Sequence, residues 1–132
     1  MRYTEIKDYP TICAAIGEDV NVLPGIVGLS DKEAKHTINH FKFNRMVRAM
    51  NLNEDGTIWE PNWSSREEKI QPWFEIKADK EHPGGFAFSN SSCAYWGSAT
   101  SVGSRYCFQD YERYQHALKH FEEMFLDEYL IR

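Results

Sequence analysis

Apolar positions recur at helical spacing in three stretches of the chain, and at strand spacing in shorter ones between the second and third. The first helical stretch is Tyr9–Ile16, with Ile12, Ala15 and Ile16 on one stripe. Asp8 is a good N-cap, Pro10 is tolerated in a first turn, and Gly17 suits the exit. A loop follows, broken by Pro24, Gly25 and Gly28. Ser30-Asp31-Lys32-Glu33 then matches a capping box and opens a helix that should run to about Met50. Its apolar stripe changes side: Ala34, Ile38 and Phe41 share one face, whereas Phe43, Met46, Val47 and Met50 lie nearly opposite. A helix covered on two sides and a helix bent near Lys42 both satisfy this pattern.

Residues 51–72 have no sustained period. Asp55-Gly56 marks a turn, and Pro61 and Pro72 exclude a long regular element. Trp59 and Trp63 in this stretch imply a loop docked on something. Trp73–Lys77 reads as a strand, His82–Gly85 as a loop tip, and Phe86–Ser89 as the hairpin partner. A linker of small residues, Asn90 to Ser104, is interrupted by Tyr95-Trp96, and Arg105–Phe108 makes another strand. Asp110 caps the last helix, whose apolar face is Tyr114, Ala117, Leu118, Phe121, Met124 and Phe125, ending near Tyr129. Helices, then strands, then a helix predict an α+β fold. The expected architecture is a small antiparallel sheet of about three strands packed by the long C-terminal helix, with two N-terminal helices, in a single domain over residues 1–132.

Composition adds three constraints. A chain of 132 residues is one domain long and can bury a core without staples. Four Trp, seven Tyr and eight Phe supply large anchors for that core or for a binding face. A net charge of −5 argues against broad attraction to nucleic acid or anionic lipid. Cys13, Cys93 and Cys107 form an odd set without a CxxC pair, which reads as reduced thiols and not as a disulfide framework or zinc ribbon. The opening residues lack the apolar run of a signal peptide, and no stretch reaches membrane-span length. A cytoplasmic protein with no membrane contact is the expectation.

Several spaced motifs carry a resemblance. Trp59-Glu60-Pro61-Asn62-Trp63, Lys69-Ile70-Gln71-Pro72-Trp73-Phe74, Gly85-Phe86 and Gly103-Ser104-Arg105-Tyr106-Cys107-Phe108 occur in this order, followed by a helix with Tyr114 and Phe121 in its apolar face. Over roughly residues 43–130 the chain resembles a family of small uncharacterised proteins from phages, prophages and mobile elements of Bacteroidetes. It departs from their pattern by a longer link before Trp59, containing Asp55-Gly56, and by the loop Asp79–Pro83. The resemblance implies a genomic setting, a bacterial host cytoplasm, and no particular reaction.

Four groups of residues are candidates for chemistry. Trp59, Trp63, Trp73 and Phe74 would form a protein-binding or base-stacking surface, or else lock a loose loop onto the sheet. Gly103, Ser104 and Arg105, with Lys69, would hold an anion, or else form a turn entering a strand; the Gly97–Arg105 stretch has the wrong spacing for a P-loop. Lys42, Arg45 and Arg48 form a basic helix face in a segment where basic residues outnumber acidic ones, suited to phosphates or simply solvated. The i, i+4 pairs His36/His40 and His116/His120 lack further ligands and read as solvated histidines, so no metal and no cofactor is expected. No nucleophile elbow or HExxH motif is present. The reading is therefore a non-catalytic accessory protein that binds a protein partner through an aromatic-rich surface. The alternatives are a single-strand nucleic-acid binder and a small enzyme acting on an anionic ligand near Gly103–Arg105.

Overall fold

The computed structural model describes residues 1–61, 69–78, 86–96 and 107–130; within the two strands only Ile70 is described beyond its backbone. A short 3-10 turn, Tyr3–Glu5, precedes α1 (Tyr9–Ile16) and α2 (Asp31–Met50). Then come β1 (Lys69–Ala78), β2 (Phe86–Trp96) and α3 (Tyr111–Leu130).

The helix starts follow the capping chemistry of the sequence. The Asp8 carboxylate accepts from the Thr11 N–H at 2.9 Å, and the Thr11 hydroxyl accepts in return from the Asp8 N–H at 3.1 Å. At α2 the Ser30 hydroxyl accepts from the Glu33 N–H at 3.2 Å, while the Glu33 carboxylate accepts from the Ser30 N–H at 3.3 Å. Gly17 ends α1 at φ 69°, a left-handed conformation that a side chain would strain.

α2 runs unbroken between two coverings, which decides between the two readings of its split stripe. Its C-terminal half buries Phe43, Met46, Val47, Ala49 and Met50. Phe43 meets Phe125 of α3 edge-on at 5.1 Å between ring centres, while Arg45 meets α1 on the other side. The kink lies elsewhere. α3 breaks at Phe121, with φ −131° and ψ 29°, in a stretch without proline or glycine. Tyr114, Ala117, Phe121 and Phe125 of α3 complete the core with Ile6, Ile12, Ile70 and Phe108.

The expected α+β fold is overturned: the architecture is mainly helical. The core is built between α2, α3 and the N-terminal segment, and α3 packs on α2 where it was expected to cross a sheet. Among the described residues no three-stranded sheet forms. β1 and β2 make only a two-stranded antiparallel ribbon, Lys69 opposite Trp96 and Ala78 opposite Phe86, with a bulge at Glu75/Ile76.

Of the strand expected at Arg105–Phe108, Arg105 and Tyr106 lie outside the described residues, and Phe108 makes one bridge. The Phe108 N–H donates to Ile70 O at 2.8 Å, and the Ile70 N–H to Phe108 O at 3.1 Å. The backbone groups on either side of Phe108, which point away from β1, are bonded by Asn51. Its amide donates to Cys107 O at 2.9 Å and accepts from the Gln109 N–H at 2.9 Å. Phe108, which looked like a strand residue, is instead a core plug against Tyr114 at 5.5 Å.

Candidate functional site

The loop between α1 and α2 carries the largest group of exposed aliphatic side chains among the described residues. Val20, Val22, Leu23, Val27 and Leu29 all stand out into solvent, and Val27 is exposed over its whole surface. The loop is built from turns that force this display. The Asp19 carboxylate accepts from the Asn21 N–H at 2.8 Å, and the Val22 N–H donates to Asp19 O at 3.3 Å. Further on, the Leu29 N–H donates to Ile26 O at 3.2 Å and Gly28 has φ 85°. A glycine at positive φ in the third position is the signature of a type II turn, and it puts Val27 on the corner.

Arg48 joins this loop to a groove. Its guanidinium stands 3.9 Å from the Glu18 carboxylate at the root of the loop. It also lines a groove of about 440 Å³ with Val47, Asn51, Ile58, Trp59, Glu60, Pro61 and Cys107. Trp59 is half-buried there, its backbone N–H donating to Asn51 O at 2.9 Å at the end of α2. Of the residues expected to form an aromatic surface, Trp59 lies at a groove with a mixed apolar and charged wall. Trp63 and the side chains of Trp73 and Phe74 lie outside the described residues, as do Gly103, Ser104, Arg105 and the side chain of Lys69.

The expected basic face of α2 is divided. Arg45 is buried at 4% exposure. Its guanidinium donates to Asp19 O at 2.8 Å, to the Tyr9 hydroxyl at 3.3 Å and to Cys13 Sγ at 3.3 Å, with the Phe41 ring 4.4 Å from its carbon. Burial pushes the Tyr9 phenol up from its ordinary range, with Cys13 adding to the shift and Arg45 opposing it, so Tyr9 serves as a neutral partner. Lys42 lies over the Tyr9 ring at 4.9 Å, and Arg48 faces Glu18. Little of this face is left for phosphates.

The histidine pairs differ from each other. His40 holds Glu128 of α3 through Nδ1 at 2.7 Å and Asn44 through Nε2 at 3.1 Å. His116 holds Ile6 O through Nε2 at 2.7 Å and stands 4.4 Å, ring centre to ring centre, from His120. No group of three or more His, Cys, Asp or Glu side chains arranged for a metal is found among the described residues.

The exposed aliphatic loop and the buried Arg45 were both missed by sequence reasoning. A signal for the loop existed: from Val20 to Ser30 no residue is charged, and the aliphatics there fit neither helical nor strand spacing. For Arg45 the only hint was its place beside Met46 on a helix with two apolar faces. Among the described residues no helix is long and apolar enough to cross a membrane. No protein family, curated protein or solved structure matches the chain.

Proposed function

We propose that this chain is a non-catalytic protein-binding module whose contact face is the α1–α2 loop together with the adjoining Trp59 groove. The observation that carries the reading is the set of aliphatic side chains that the loop's own turns hold in solvent, with Val27 at its corner. Scattered exposed aliphatics are ordinary, but a cluster on one short loop marks a surface that another molecule covers. Burying a valine or leucine contributes roughly 1.5–3 kcal/mol, so a few of these residues suffice to anchor a complex. Trp59 and Arg48, beside the loop's root, are residue types that concentrate binding energy at protein interfaces. The accessory role implied by the resemblance to phage and mobile-element proteins gives the module its setting, with a host or phage protein in the bacterial cytoplasm as partner. A single-strand nucleic-acid role is weaker, because Arg45 is buried and Arg48 faces a carboxylate.

The test is a photo-crosslinking residue placed at Val27 and, as a control, at the exposed Glu54. The expected result is a partner captured from position 27 and not from position 54. Leu23→Asp and Val27→Asp should then each weaken that purified complex by at least about tenfold while leaving the melting temperature unchanged. Identical capture from both positions, or a complex indifferent to both substitutions, would refute the reading.

A further inference from the structure

Two histidine pairs at i, i+4 spacing offer a comparison inside one molecule. In the His36/His40 pair the ring centres are 6.3 Å apart, and both nitrogens of His40 are engaged, by Glu128 and by Asn44. In the His116/His120 pair the centres are 4.4 Å apart. Ile6 O can only accept, so the hydrogen in that 2.7 Å contact sits on Nε2 of His116, and in the neutral ring the lone pair is left on Nδ1. A backbone carbonyl fixing one ring nitrogen is how metal-binding histidines are commonly oriented. His120 makes no hydrogen bond to any described residue, so neither of its nitrogens is committed.

The geometry points to His116 and His120 as a two-imidazole site for a late transition-metal ion of tetragonal preference, Ni(II) or Cu(II), with water in the remaining positions. A metal about 2.0–2.1 Å from one nitrogen of each ring lies about 3.2 Å from each ring centre. Two such rings at a right angle about the metal have centres about 4.5 Å apart, and at the tetrahedral angle about 5.2 Å. The observed 4.4 Å fits the first arrangement. Imidazole is a ligand that both ions accept, and both take right-angled positions. Lys119 and Lys7 stand near His120. The same two lysines repel a dication, and no third ligand joins among the described residues, so binding is modest in strength.

Calorimetric titration with Ni(II) at mildly alkaline pH tests the site; nickel avoids the thiol redox chemistry that copper would bring to the cysteines. Uptake of one Ni(II) is expected at this pair, weakening as pH falls because protons compete for the rings. His120→Ala, which removes no hydrogen bond to a described residue, should weaken it by at least about tenfold. The double variant His36→Ala/His40→Ala should leave it unchanged. Paramagnetic broadening in NMR should strike the His116 and His120 ring signals first. Absence of uptake, equal affinity in His120→Ala, or a comparable loss in the His36/His40 variant would overturn the assignment.

Discussion

Arg45 is a charge that the fold has taken out of water and surrounded with partners. Removing one side of a buried, hydrogen-bonded ion leaves the other groups stranded, and that loss exceeds what the contact contributed. Here truncation would leave Asp19 O, the Tyr9 hydroxyl and Cys13 Sγ without their donor, and a void beside Phe41. Arg45→Ala is therefore expected to lower stability by about 2–4 kcal/mol in a urea titration. Arg48→Ala, removing a half-exposed cation that stands 3.9 Å from Glu18, should change it by less than about 1 kcal/mol. Similar effects from the two would mean that Arg45 is not the buried tie between α1 and α2. Sequence spacing placed both residues on one basic face. What separates them is the position of α1, and no pattern within α2 records that.

The elements whose ends are chemically marked were the legible ones. The capping box at Ser30 and the Asp8 cap name their helices in the sequence, and both are present as hydrogen bonds. The Asp8 cap has a consequence for acid stability. Its backbone and side-chain bonds with Thr11 hold the carboxyl below the ordinary aspartate value. A carboxyl whose folded pKa is depressed contributes stability above its unfolded pKa, and that contribution disappears as pH falls through the folded one. The stability gap between the wild type and Asp8→Ala should thus be full at neutral pH and close on acidification below the ordinary aspartate range. Circular-dichroism melts across that range would show it, and a gap that stays constant with pH would dismiss the cap as its source. The kink at Phe121 was not legible, because the apolar stripe of α3 continues across it at helical spacing. The split stripe of α2 was half legible: its two faces were visible in sequence, but only packing between α1 and α3 decides that the helix stays whole.

At the scale of the molecule the sequence misled on what holds the sheet region to the helices. Aromatic alternation near Phe108 suggested a strand, and strand propensity is itself mostly a statement about fitting a half-buried surface. Phe108 meets that condition in the helical core with a single bridge to Ile70. The residue that holds the other edge of this segment is Asn51, buried at 3% exposure and joined to Val47 O, Cys107 O and the Gln109 N–H. Asn51→Ala should cost about 2–4 kcal/mol, since these backbone groups would stay buried without it. A loss below 1 kcal/mol in denaturant titration would show that water replaces the amide freely. Asn51 also acts as a clasp. The Cys107 carbonyl that it grips lies 56 residues further along the chain, so this one side chain ties the end of α2 to the segment that leads into α3. Lengthening a closed stretch costs little, about 0.6 kcal/mol for each doubling. Between Ala78 and Phe86, the paired ends of β1 and β2, a peptide tag or a new epitope could therefore be grafted while Ile70 keeps its place in the core and Asn51 its grip on Cys107.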